Sequence, residues 1–236
     1  MTGREWRRRA LAVFFPERCA YCGRVVPPCR PSCDGCRPHL SRIEPPICRL
    51  CGRGEDSCSC GGHRRHFERV AAPFYYEERA KEGIGRLKSG HPEAAMPLAE
   101  EMAAVVKREY SRVSFDMLTA VPMWAADRKA RGYNQSELLA EELSRALGVP
   151  SIRALRKILE TAPQKALSAV ERSGNLLGVF DLEKGARVEG KTILLIDDIV
   201  TTGTTLDECA KMLKIYGAEE VFAVTATASR LSKQGE

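Results

Sequence analysis

Two adjacent carboxylates followed by a run of hydroxyls, Asp197-Asp198-Ile199-Val200-Thr201-Thr202-Gly203-Thr204-Thr205, are the residues of this chain best equipped to do chemistry. Adjacent carboxylates accept two vicinal hydroxyls or hold a hard cation. Ahead of them, Ile193 to Ile196 is an unbroken apolar run that suits a strand buried on both faces of a parallel sheet. Behind them, Leu206, Cys209, Ala210 and Leu213 recur at helical spacing, so the threonine loop opens a helix. A helix start presents unpaired N–H groups and the positive end of the dipole, and threonine hydroxyls add donors; both favour a phosphate monoester. The two halves together describe a seat for a sugar phosphate. An Asp pair alone is satisfied as an ordinary turn or helix cap. It is the full string, set between a buried strand and an amphipathic helix, that points to a ligand. Neither G-x-x-x-x-G-K-[ST] nor a strand-linked G-x-G-x-x-G occurs in the chain, which excludes the commonest competing phosphate loops.

A second chemistry lies in the cysteines. Cys19-x-x-Cys22 and Cys33-x-x-Cys36 form two knuckles, and Cys48-x-x-Cys51 is followed by Cys58-x-Cys60. Each knuckle sets two thiolates on one side of a tight turn, and two knuckles close a tetrahedron around Zn2+. Gly23 and Gly52, directly after the second cysteine of their pairs, suit the positive φ that such turns use. One or two structural zinc ions are expected. Cys29 is left over and could replace Cys33; His63 or His66 could replace a thiolate of the second set. With so little apolar sequence here, bound metal supplies much of the folding free energy of this segment. Two four-thiolate sites leave no open coordination position for catalysis. Cys209, on the apolar helix face, reads as a buried structural thiol.

Composition divides the 236 residues sharply. Residues 1–70 contain nine of the ten cysteines and no lysine, with 14 Arg against 7 Asp plus Glu, a net of +7; the rest of the chain nets −1. A small metal-bound domain over residues 1–68 and a larger one over 69–236 follow. Arginine-only basic surface suits phosphate or nucleic-acid contacts, and also an ordinary solvated face. No segment approaches the roughly 20 apolar residues that cross a bilayer. The apolar run Ala10 to Phe15 is too short for a secretion signal. Trp6, Ala10, Leu11 and Phe14 instead fall on one helical face. A cytoplasmic protein is expected, where reduced thiols bind metal rather than pair.

Other elements must position these residues. Val70 to Tyr76 and Asp116 to Val121 read as strands, Ala80 to Lys88 and Pro92 to Tyr110 as helices. Asp127 to Ser136 reads as a cationic loop leading into a helix over Glu137 to Leu147. Strands alternating with helices specify a parallel α/β sheet, on which ligands sit beyond the carboxyl ends of the strands. Arg131 with Gly132 is then placed for a pyrophosphate, since glycine lets backbone amides approach an anion. Thr161 to Arg172, polar and weakly periodic, reads as either a linker or a lid.

The Asp197 to Thr205 string resembles the fingerprint of the type I phosphoribosyltransferases. The whole chain, from about Phe14 to Ser229, resembles the ComF (competence protein F) family. The residues that carry this are the cysteine knuckles, Arg86-Leu87-Lys88-x-Gly90, Val121-Pro122, Arg131-Gly132-Tyr133-Asn134-Gln135-Ser136, Thr161-x-x-Gln164-x-x-Leu167 with Glu171-Arg172 and Asn175, and the acid-threonine string. The resemblance implies a type I phosphoribosyltransferase fold with an N-terminal double zinc ribbon, and binding of 5-phosphoribosyl 1-pyrophosphate with Mg2+. It implies that Asp197 and Asp198 meet the ribose hydroxyls and metal, and that Thr201, Thr202, Gly203, Thr204 and Thr205 wrap the 5-phosphate. Arg131 would contact pyrophosphate, Lys88 would be a further phosphate contact, and Gln164 and Arg172 would belong to the lid. An association with DNA uptake in natural transformation follows from the family. Two activities stay open: a phosphoribosyltransferase of unknown acceptor, and a catalytically silent adaptor that binds single-stranded DNA and DNA-uptake proteins.

Overall fold

The computed structural model describes residues 16–28, 30, 32–58, 60–62, 64–158 and 179–230. Five parallel strands form the central sheet: β1 (Arg69–Ala71), β2 (Phe74–Tyr75), β3 (Met117–Ala120), β6 (Thr192–Val200) and β7 (Glu220–Ala228). Their order is β1-β7-β6-β3, with β2 also pairing β7. β6 therefore lies between β3 and β7 up to Ile196, and its carboxyl end, from Asp197 to Val200, runs on beside β7 beyond the end of β3. Its register sets Leu194 beside Leu118 of β3 and Phe222 of β7.

Strand alternation sends neighbouring side chains to opposite faces, and two cores result. Leu194 and Ile196 pack with helices α1 (Glu78–Lys88), α2 (Ala95–Glu109) and α4 (Gln135–Leu147) through Ile84, Leu98, Met102 and Leu139. Ile193 and Leu195 pack with helix α5 (Thr204–Ile215) through Leu206, Cys209 and Leu213. The continuous apolar run thus reports a strand covered on both faces. Cys209 is fully buried in the second core.

Several elements differ from the sequence expectation. The strand expected over 70–76 is broken between β1 and β2, where Pro73 has no N–H to donate; its carbonyl instead accepts from Ile43. Much of the expected cationic loop is a short helix, α3 (Ala125–Arg131), closed by Gly132 at φ 88°, and α4 begins two residues earlier than expected. A two-stranded antiparallel ribbon, β4 (Leu155–Lys157) with β5 (Phe180–Leu182), was not expected, nor was β7 itself. Trp6, Ala10, Leu11, Phe14, Cys29, His63, and the 159–178 stretch with Gln164 and Arg172 lie outside the described residues.

The cysteine-rich segment packs directly on this domain. Cys19, Ala20 and Tyr21 share a core with Phe74, Ala80 and Ile84. The Tyr21 ring meets Phe74 edge-on at 6.1 Å between centroids. Gly83 permits this approach, because a Cβ there would lie 2.8 Å from Tyr21 Cδ1. Among the described residues no helix is long and apolar enough to cross a membrane.

Candidate functional site

The acid pair lies near the carboxyl end of the central strand, which runs two residues past the acids, to Val200, rather than ending on them as the sequence suggests. Asp197 Oδ1 accepts from Ser136 Oγ at 2.9 Å and from the Asp198 N–H. Asp198 Oδ2 lies 2.6 Å from Lys88 Nζ and 3.4 Å from Gln135 Nε2. Withdrawal from water and the neighbouring Asp198 charge push the Asp197 pKa up to about 8, opposed by the Ser136 hydroxyl. Beneath the pair, Thr227 Oγ1 donates to the Asp198 carbonyl at 3.2 Å.

Residues 131–136 hold this arrangement. Asn134 caps α4 by accepting from Ser136 N–H, and its Nδ2 donates to the Val121 carbonyl at 2.9 Å. The α4 start is thereby tied to the end of β3, which points Gln135 and Ser136 at the acids. Tyr133 Oη donates to the Leu87 carbonyl and accepts from Gly90 N–H. That fixes the C-terminal end of α1 and hence Lys88. Arg131 reaches Gln135 Oε1 at 2.6 Å. Arg131, Gln135, Asp198 and Lys88 therefore form one chain of polar contacts. Gln135, Ser136 and Tyr133 were visible in sequence only as members of a motif; their roles required the fold.

The threonine turn follows β6. Thr201, Thr202, Thr204 and Thr205 are exposed, Gly203 is buried at φ 80°, and α5 starts at Thr204. Thr202 and Thr204 hydroxyls lie 2.9 Å apart. The turn is backed by the cysteine-rich segment: Arg53 Nη2 donates to the Thr201 carbonyl at 2.5 Å, and Arg65 Nη2 to the Thr202 carbonyl at 2.6 Å. Neither arginine carries a sequence signal that foretells this.

Both cysteine sets assemble as expected. The sulfurs of Cys19, Cys22, Cys33 and Cys36, and separately those of Cys48, Cys51, Cys58 and Cys60, lie within 4.8 Å of one another. Cys22 to Cys33 is 3.6 Å and Cys51 to Cys58 is 3.6 Å. A Zn2+ with bonds of about 2.3 Å has sulfur edges of about 3.8 Å, so four-thiolate sites of this size fit the ion. His66 does not join the second cluster; its N–H and Nδ1 both meet Asp207 Oδ1.

Sequence comparison agrees with this geometry. A phosphoribosyl transferase domain matches residues 134–235 and a double zinc ribbon domain matches residues 10–66. The fold is thus that of a type I phosphoribosyltransferase joined to a double zinc ribbon. Within that class the chain belongs to the ComF (competence protein F) family. It is 38% identical over 224 residues to DNA utilization protein YhgH of Salmonella typhi, covering 91% of each chain. It is 28% identical to Competence protein F of Haemophilus influenzae, covering 88% of this chain and 95% of that one. To Competence protein ComFC of Bacillus subtilis it is 30% identical, covering 77% of each.

Proposed function

We propose that the chain binds 5-phosphoribosyl 1-pyrophosphate with Mg2+ at the carboxyl end of β6, and transfers the phosphoribosyl group to an acceptor not yet known. The observation that carries this reading is the placement of Asp197, Asp198 and the Thr201–Thr205 turn at one end of the central strand, with the Arg131–Gln135–Lys88 contacts beside them. Asp197 and Asp198 orient the ribose hydroxyls, the turn and the α5 start take the 5-phosphate, and Arg131 and Lys88 take the pyrophosphate. Gln164 and Arg172, outside the described residues, are assigned to the ligand by the family resemblance alone. The acid pair and the ligand's own phosphates supply oxygen donors that fit Mg2+, which when bound neutralises the departing pyrophosphate. Lys88 pairs with Asp198 at 2.6 Å, which sets its ammonium beside the acids where the pyrophosphate is assigned.

In this reading, residues 1–68 are the zinc-bound part, residues 69–236 carry the site, and the protein is cytoplasmic. Its role is in DNA uptake during natural transformation, in keeping with the names its relatives bear. The second reading, an adaptor for single-stranded DNA without catalysis, is favoured by the net +7 of residues 1–70. Part of that charge is engaged internally, since Arg42 pairs with Glu101 and Arg69 with Glu109.

Calorimetric titration with 5-phosphoribosyl 1-pyrophosphate and Mg2+, beside an oligonucleotide titration at two salt concentrations, separates the readings. Sugar-phosphate binding that weakens at least about tenfold in Asp198→Ala supports the first. Oligonucleotide binding that weakens with salt, with no sugar-phosphate binding, supports the second.

A further inference from the structure

We propose that Arg53 and Arg65 of the second zinc ribbon are positioning residues for the phosphate turn, which makes that ribbon a structural half of the phosphate seat. The inference rests on the reading of Thr201–Thr205 as the 5-phosphate site.

Arg53 is 1% exposed and among the largest fully buried side chains. A buried guanidinium persists only where its donors are satisfied. Its Nε donates to the Ser229 carbonyl and its Nη2 to the Thr201 carbonyl, both at 2.5 Å, so it clamps the ends of β7 and β6 together. The Arg53 backbone belongs to the metal knuckle, where its carbonyl accepts from Cys48 N–H at 2.8 Å. Arg65 extends the clamp by one residue, donating to the Thr202 carbonyl.

Planar trans peptides convert these contacts into ligand geometry. In such a unit the C=O and the following N–H point in opposite directions. With the Thr201 and Thr202 carbonyls turned toward the ribbon, the Thr202 and Gly203 N–H groups face away from it. Neither N–H has a protein acceptor among the described residues. Two successive free N–H groups, the second on a glycine at φ 80°, make the kind of concavity that holds a phosphate.

Charge points the same way. Asp207, in the first turn of α5, would oppose an incoming anion. Arg65 Nη1 lies 3.7 Å from Asp207 Oδ2, and His66 N–H donates to Asp207 Oδ1 at 2.6 Å. The ribbon therefore occupies the carboxylate that competes with the ligand, while its guanidinium groups stay behind the turn.

The test uses the full zinc-loaded chain and two probes, ribose 5-phosphate and pyrophosphate, with Arg65→Gln and Arg53→Met as variants. Arg65→Gln is expected to weaken ribose 5-phosphate about tenfold while pyrophosphate binding and zinc content stay unchanged. Arg53→Met should do the same if it folds; if it does not, Arg65→Gln decides alone. No loss for ribose 5-phosphate, or an equal loss for pyrophosphate, overturns the inference. Should the wild type bind neither probe, the proposed function fails instead. The inference is then decided by the amide resonances of Thr202 and Gly203, which must shift in Arg65→Gln with the rest of the spectrum retained; unchanged resonances overturn it.

Discussion

The two cysteine clusters look alike as ligand sets and both pack on the domain, the second through Ile47 and Phe67 against Val70 and Tyr75, yet only the second adds guanidinium bonds to the phosphate turn. The first attaches through packing: Tyr21 lies against Gly83, and the Arg86 guanidinium lies over Gly23, where a Cβ would fall 2.7 Å from Arg86 Nη1. Both contacts are on α1, whose last residue is Lys88. The second adds to its packing charged donors on backbone carbonyls, Arg53 and Arg65 on the phosphate turn. Packing holds a helix as a unit and tolerates small shifts. Guanidinium-to-carbonyl bonds instead fix individual peptide planes. The first ribbon therefore sets where a helix sits, and the second sets how two amides point.

Loss of the second cluster should break that comparison most sharply. Replacing Cys48 and Cys51 with Ser is expected to halve the zinc content from two ions per chain and lower sugar-phosphate affinity more than a hundredfold, read by elemental analysis and calorimetry. The matching Cys22→Ser, Cys33→Ser pair should lower thermal stability with a smaller effect on affinity. Equal affinity losses would erase the distinction.

Asp198→Ala comes next. It removes a charged partner of Lys88 and a ligand contact, and should weaken sugar-phosphate binding by about 1.5–3 kcal/mol, roughly 10- to 150-fold. Gly83→Ala probes the packing side. Its Cβ meets the Tyr21 ring at 2.8 Å, so denaturant unfolding should show a loss of about 1–3 kcal/mol. Ser136→Ala removes one hydrogen bond to Asp197 and should cost binding about 1 kcal/mol.

A separate test reads folding rather than binding, through its pH dependence. Asp197 has a raised folded-state pKa of about 8 against an ordinary 3.8, so between those values the folded state binds more protons than the unfolded one. Its contribution is present at low pH and is lost as pH rises through that window. Unfolding free energy should fall from about pH 4 to pH 8, and Asp197→Asn should flatten the slope. A slope unchanged by the substitution would remove Asp197 as its source.

Local chemistry wrote much of this molecule into its sequence. Period and apolar runs gave the parallel α/β domain, because a strand buried on both faces cannot be polar. Cysteine spacing gave both ligand sets, since two knuckles suffice for a tetrahedron. The acid pair and its threonine turn were legible because strand end, loop and helix start are contiguous. What the sequence left open depends on distance along the chain. Arg53 lies 148 residues from Thr201, Arg65 lies 137 from Thr202, and Ser136 lies 61 from Asp197. An isolated arginine has no period and no motif, so its partner is chosen only when the sheet brings both ends together. The sequence by itself determined which groups could hold metal and phosphate. The tertiary structure alone decided that one ribbon's arginines lock the peptide planes of the other domain's turn, because a buried guanidinium must take whatever carbonyls the fold presents.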